Sequence, residues 1–179
     1  MPIYVFGCLS GLLAAVAERG FEDLNERLEI AAETAPEGGR LKTLGLAYLT
    51  FGLERGETWK KIHAPRLWDV VGNDRHPDRD RVADGAWAKA WKSVHTENEK
   101  FKPFDFVSAE RRRALKFLED AARDDGIPES GDAAHAIACL VDGILWQTHF
   151  ERVGVGEGMA GPTAYHEKLV DRTIAGWRR

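Results

Sequence analysis

The residues of this chain that could do chemistry are few and scattered. Gly156-Glu157-Gly158-Met159-Ala160-Gly161 satisfies the spelling G-x-G-x-x-G, in which glycines let a backbone approach a dinucleotide pyrophosphate. That fingerprint works where a strand delivers the loop to the phosphate, and the preceding Trp146 to Val153 reads as helix. An interhelical linker is the expected role. Asp74, His76, Asp78, Asp80 and Asp84 offer oxygen and nitrogen ligands but lack the glycine and closing glutamate of a calcium loop, so a solvated acidic loop is expected. His63, His95, His135, His149 and His166 show no H-x-x-x-H or E-x-x-H spacing, which would set two metal ligands on one helical face. No serine, cysteine and histidine constellation is legible in the order of residues, and Cys8 and Cys139 form neither a disulfide framework nor a zinc pattern. No catalytic residue, cofactor or metal is expected.

Aromatic side chains offer a different chemistry. Trp59, Trp68, Trp87 and Trp91 crowd four of the six tryptophans into one stretch. Trp87 and Trp91, four residues apart, share a helical face. Such a group either packs a core or lines an apolar cavity in which indole N–H groups orient a polar tip. Core packing is the commoner role of aromatics at this spacing; in the functional reading these four residues, with Tyr48 and His95, form the pocket wall. Arg111, Arg112 and Arg113 form the one basic run, too short to track a phosphate backbone and expected on a solvated face.

The elements that must position these residues all read as helices. Leu13, Val16, Ala17, Gly20, Phe21, Leu24, Leu28 and Ala31 recur at steps of three and four. Pro36, Gly38 and Gly39 end that helix, and Leu41, Leu44, Tyr48 and Phe51 mark a second, packed antiparallel on the first across a short loop. Thr58 is expected to cap a short helix through Trp59 and Ile62 that stops before Pro65, and Gly72 to Pro77 reads as loop. A helix over Asp80 to Glu99 carries Val82, Ala86, Trp87, Ala90, Trp91 and Val94. After Lys102-Pro103, a helix opens at Ser108 and stops near Gly126. Asp132 then caps the most apolar helix, Ala133 to Phe150, and glycines 154, 156, 158 and 161 form a linker. Pro162 is expected in the first turn of a last helix holding Tyr165, Leu169, Val170, Ile174 and Trp177. No Asn-Gly hairpin sits between alternating β-branched runs. The expectation is an all-α bundle of about seven helices in one domain.

Composition sets the outer bounds. The 179 residues carry 25 basic and 29 acidic side chains, net −4, which gives no bulk-charge support for a nucleic-acid surface. At 44% hydrophobic and 30% charged the chain has the balance of a folded water-soluble domain. Met1 to Ala17 is uncharged, and Ala15-Val16-Ala17 has the form a signal peptidase cuts. Against export, no Lys or Arg stands in the first residues and the helical rhythm runs through the cut. The run is also shorter than the roughly 20 residues a bilayer needs. A cytoplasmic protein with no membrane partner is expected.

Phe6-Gly7-Cys8-Leu9-Ser10-Gly11-Leu12-Leu13-Ala14-Ala15-Val16 resembles the stretch that closes the DNA-binding head of TetR-family transcriptional regulators, F-x-s-K-e-x-L-L-x-x-V, and runs into their connecting helix. Leu41 to Phe51 resembles the next helix of that family. Asp132 to Leu145 resembles the interface helix of the branch with a W-x-x-x-H-G signature. The pattern departs at Leu9, where lysine is usual, at Tyr4, one residue too close to Phe6, and at Ala138 and Asp142, which replace tryptophan and histidine; Gly143 matches. The resemblance implies a remnant of a head over residues 1–8 and a helical effector-binding and dimerisation domain over 9–179. It implies a homodimer paired through Leu140, Gly143, Ile144, Ile174 and Trp177, and a small apolar effector in the tryptophan-rich cavity. Operator DNA is a partner only if a head precedes Met1. A small helical enzyme or ligand-binding protein using the same cavity is the alternative.

Overall fold

In the computed structural model, residues 5–71, 75–78, 81, 85–86, 103–151 and 162–178 are described. Every regular element among them is helical: α1 (Leu9–Thr34), α2 (Arg40–Glu54), α3 (Gly56–Ile62), α4 (Pro65–Val71), α5 (Pro103–Asp124), α6 (Ser130–Trp146), a π-helical segment (Gln147–Glu151) and α7 (Ala164–Trp177). No helix among them is long and apolar enough to cross a membrane. The glycine linker at 154–161 lies outside the described residues, as does the expected helix over Asp80 to Glu99 except at residues 81, 85 and 86, where Gly85 forms a bend rather than helix.

Several boundaries differ from expectation, each for a local reason. Helix α5 starts at Pro103, five residues before Ser108, because proline fits a first helical turn, where its missing N–H has no partner to lose. Helix α3 starts at Gly56, which puts Thr58 inside it rather than at its cap. Helix α6 starts at Ser130 with Glu129 before it, so Asp132 lies in the first turn. There its charge faces the positive end of the helix dipole. Thr163 caps α7, leaving Pro162 one residue outside. Helix α4 was not expected at all: Pro65 reads as a stop for α3, yet it also opens the next helix. Gly126 takes φ +72°, a left-handed residue that ends the α5 region as expected.

The chain divides into two compact units, Met1–Glu22 with Glu57–Arg111 and Asp23–Gly56 with Arg112–Arg179. Helices α1 and α5 each contribute to both. In the first unit, α1 meets α3 at Gly20, where a Cβ would lie 2.7 Å from Ile62 Cγ2 and 2.9 Å from Thr58 Cγ2. The close approach buries Trp59, Ile62 and Phe21.

In the second unit, α1 and α2 run antiparallel: the chain reverses between Thr34 and Arg40, and Arg27 Nη2 reaches Glu54 Oε2 at 2.7 Å. Helix α2 is central. It runs alongside α6 in the same direction, Gly45 against Ile137, Tyr48 against Asp142 and Gly52 against Leu145. Helix α7 runs the other way, with Val170 over Gly45, Lys42 Nζ 2.8 Å from Asp171 Oδ2, and Arg178 Nη2 donating to Gly38 O at 2.7 Å. Leu41, Leu44, Leu49, Ile137, Val141, Leu145 and Val170 fill the space between, each about 1.5–3 kcal/mol of burial.

Candidate functional site

The expected pocket wall separates between the units. Trp59 and Trp68 are in the first and Tyr48 in the second. Trp87, Trp91 and His95 lie outside the described residues. Trp59 is 1% exposed and stacks on His63, ring centroids 4.5 Å apart. His63 Nδ1 lies 3.0 Å from Trp59 O, an oxygen that can only accept, so the proton sits on Nδ1. Trp68 is held on three sides. Its Nε1–H donates to Ile62 O at 2.8 Å, Phe21 meets its ring nearly edge-on, and the Arg111 guanidinium lies 4.9 Å over its face. The indole N–H of Trp68 thus closes the end of α3 and is not available to a ligand. The Tyr48 hydroxyl donates to Asp142 Oδ1 at 2.6 Å.

A polar cluster in the first unit has no counterpart in the sequence reading. Ser10 Oγ, wholly buried, donates to Asp78 Oδ2 at 2.6 Å, and Cys8 Sγ lies 3.9 Å from Asp78 O. Arg81 Nη1 stands 3.7 Å from Asp78 Oδ1, and His76 Nδ1 accepts the Asp78 N–H at 3.2 Å. The acidic loop was expected to be solvated; Asp78 is instead 6% exposed. Its hydroxyl partner is 68 residues away, a pairing that no local pattern announces. Gly85 adds to the tie, packing against the backbone of Phe6 and Gly7. The cluster ties residues 8 and 10 to 76, 78 and 81. Among the described residues no group of three or more His, Cys, Asp or Glu is placed to hold a metal.

The expected pairing surface divides between the interior and the surface of the second unit. Ile144 and Ile174 are buried, so they belong to the unit's own core. Leu140 and Trp177 are half-buried and Gly143 is exposed, with nothing within 4 Å of a Cβ placed on it. The exposed face of α6 continues from Cys139 and Gly143 to Trp146 and Phe150, which are 42% and 47% exposed and stack on each other at 4.3 Å. Sequence reading counted Phe150 as apolar helix and missed its stacking with Trp146, though their spacing of four was the available signal. Trp146 ends α6 and Phe150 lies in the π-helical segment that continues it. His149 within it points the other way: its Nε2 donates to Gly52 O at 2.9 Å, near the end of α2. Its ring fills the space a side chain at Gly56 would take, with Cε1 2.4 Å from a Cβ there.

Charge is spent locally. Lys116, Glu119, Asp120 and Arg123 form a ladder along α5. The Lys116 hydrogen bond, with help from Arg123, holds the Asp120 carboxyl below its usual range. The expected solvated arginine run is exposed, but two of its members have partners: Arg111 covers Trp68, and Arg113 reaches Glu29 at 3.6 Å. Compared with protein-family models, with curated proteins and with solved structures, the chain matches none.

Proposed function

We propose that this chain is the effector-sensing and homodimerising domain of a TetR-type transcriptional regulator. The observation that carries the reading is the exposed apolar stripe of α6. Cys139, Leu140 and Gly143 lead into the Trp146–Phe150 stack on a helix whose other face is committed to α2. The stripe is small at one end and large at the other. A second copy laid antiparallel across Gly143 would set Trp146 against the partner's Leu140 and Phe150 against the partner's Ala136. That arrangement is isologous and closes after two copies.

An effector acts on such a domain by linkage. It shifts the arrangement of two protomers only as far as it binds one arrangement better than the other. The effector is a small apolar molecule held in the tryptophan-rich first unit. Operator DNA is a partner only if a helix-turn-helix head precedes Met1.

Light scattering at micromolar concentration tests the pairing, with an expected mass of about 40 kDa, twice the 20.0 kDa chain. Gly143→Arg is expected to give monomers of unchanged helicity. Titration with the uncharged fluorophore N-phenyl-1-naphthylamine tests the sensing half, with saturable uptake of one molecule per chain and a raised Tm expected. A monomeric wild type overturns the pairing, and non-saturable uptake overturns the sensor.

A further inference from the structure

We propose that the His166 imidazole is a proton-sensitive latch on the first turn of α7, closed while neutral and released when protonated. At the start of α7 two bonds run in opposite directions. The His166 N–H donates to Thr163 Oγ1 at 3.5 Å, and the Thr163 N–H donates to His166 Nδ1 at 3.2 Å. This is a capping box, whose third residue is ordinarily Glu or Gln because a side-chain oxygen must accept. Here the acceptor is a ring nitrogen. Neutral imidazole with its proton on Nε2 offers a lone pair at Nδ1, whereas imidazolium offers none. Nδ1 also lies 3.3 Å from Thr163 Oγ1, so a proton there ends the bond from the Thr163 N–H and can turn only to the hydroxyl oxygen that already receives the His166 N–H.

The surroundings favour the neutral form. His166 is 6% exposed, and burial lowers its pKa from the ordinary imidazole value. Burial is the cause of that shift, and the nearest charged groups described on the elements packed against α7 are engaged with other partners. On α2, Lys42 is engaged with Asp171, and Tyr48 is engaged with Asp142 of α6. On α7 itself, the Tyr165 ring is tilted beside the imidazole at 6.0 Å, and Glu167 and Lys168 are exposed. Further along, Val170 over Gly45 and the Lys42–Asp171 pair keep α7 docked, which confines release to Ala164–Glu167.

The sign follows from the depressed folded-state value. Above the unfolded pKa near 6.5 both states are neutral and the latch is fully present. As pH falls below it, the unfolded chain binds a proton that the folded chain declines, so stability drops until pH passes the folded pKa. The latch does not depend on the regulatory reading.

The test compares wild type with His166→Gln, which keeps an acceptor at the same place and cannot titrate. Amide hydrogen exchange over residues 163–168, corrected for the intrinsic effect of pH, is read at pH 7.5 and 5.0. Wild type is expected to lose protection about fivefold or more at pH 5.0, the usual scale of a lost cap, and His166→Gln to keep it. His76 makes a like bond to Asp78 in the first unit, so the difference between the two proteins is the readout. Equal responses overturn the proposal. So does a nitrogen-15 spectrum of wild type at pH 7.5 that places the proton on Nδ1, a result that needs no variant.

Discussion

Replacing Asp125 by alanine removes the residue that closes the N-terminus of α2 from a distance. Gly39 stands at the cap position and supplies no side chain. The carboxylate of Asp125, reaching from beyond the end of α5, takes its place. Oδ1 accepts from Arg40 N and Oδ2 from Leu41 N, each at 3.0 Å, and Arg178 Nη2 lies 3.6 Å from Oδ2. The Asp125 side chain is wholly buried, as is Leu41. In the alanine variant the Leu41 N–H is left in the interior, a loss of about 1–3 kcal/mol. The Arg40 N–H is nearer water and adds about 0.5–1 kcal/mol, the lower range for a lost cap. Arg178 is half exposed and still bound to Gly38 O, so its ion pair contributes about 0–1 kcal/mol. The sum is about 1.5–5 kcal/mol. Asp125→Asn keeps one acceptor oxygen and is expected to cost about half as much. Urea unfolding followed by far-UV circular dichroism measures both, with the midpoint falling and the slope unchanged. An alanine variant within about 0.5 kcal/mol of wild type would show that solvent satisfies α2 and that the remote cap is incidental.

Two further substitutions probe the places where helices meet. Gly52→Ala adds a methyl 2.1 Å from Leu145 Cδ1 on a fully buried side chain. Overpacking of about 1–3 kcal/mol should outweigh the roughly 1 kcal/mol that alanine gains in helix propensity, so calorimetry should show a lower Tm; a higher one means Leu145 repacks without strain. Trp68→Phe removes the bond to Ile62 O and weakens the contact with Arg111, a loss of about 1–2 kcal/mol by denaturant titration. An unchanged midpoint would mean that the indole N–H is equally well served by water.

Helix rhythm was the most legible feature of the sequence because it repeats over many residues. The apolar series from Leu13 to Ala31 falls within α1, and the all-helical class follows from such series. Proline was misread where it does two jobs. Pro65 ends one helix and begins another, and Pro103 begins a helix expected to open only at Ser108. Glycine spacing was legible only in part. Gly20, Gly45 and Gly52 look like mild helix weakeners in isolation, and their purpose emerges only when Ile62, Ile137 and Leu145 arrive from other helices. Long-range polar pairs were not legible at all. The partner of Asp78 is Ser10 and the partners of Asp125 are backbone groups 84 and 85 residues away, contacts set by tertiary packing rather than by any local pattern.

The seam between α2 and α6 shows what an aspartate does on an otherwise apolar helix. The Asp142 carboxylate receives the Tyr48 hydroxyl between the two close approaches at Gly45 and Gly52. Sliding α2 along α6 by one turn, about 5.4 Å, would bring Leu145 against a position with a side chain and strand the carboxylate among aliphatic groups. Apolar packing alone tolerates such slips, whereas a partly buried hydroxyl–carboxylate bond with glycine on either side resists them. The pair therefore fixes the register of α6 on α2. That register turns Gly143, the next residue, away from the unit's interior and aligns it with Cys139, Trp146 and Phe150 on the exposed face. Aspartate and glycine side by side thus divide the helix: one residue ties it inward, and the other leaves room for close approach from outside.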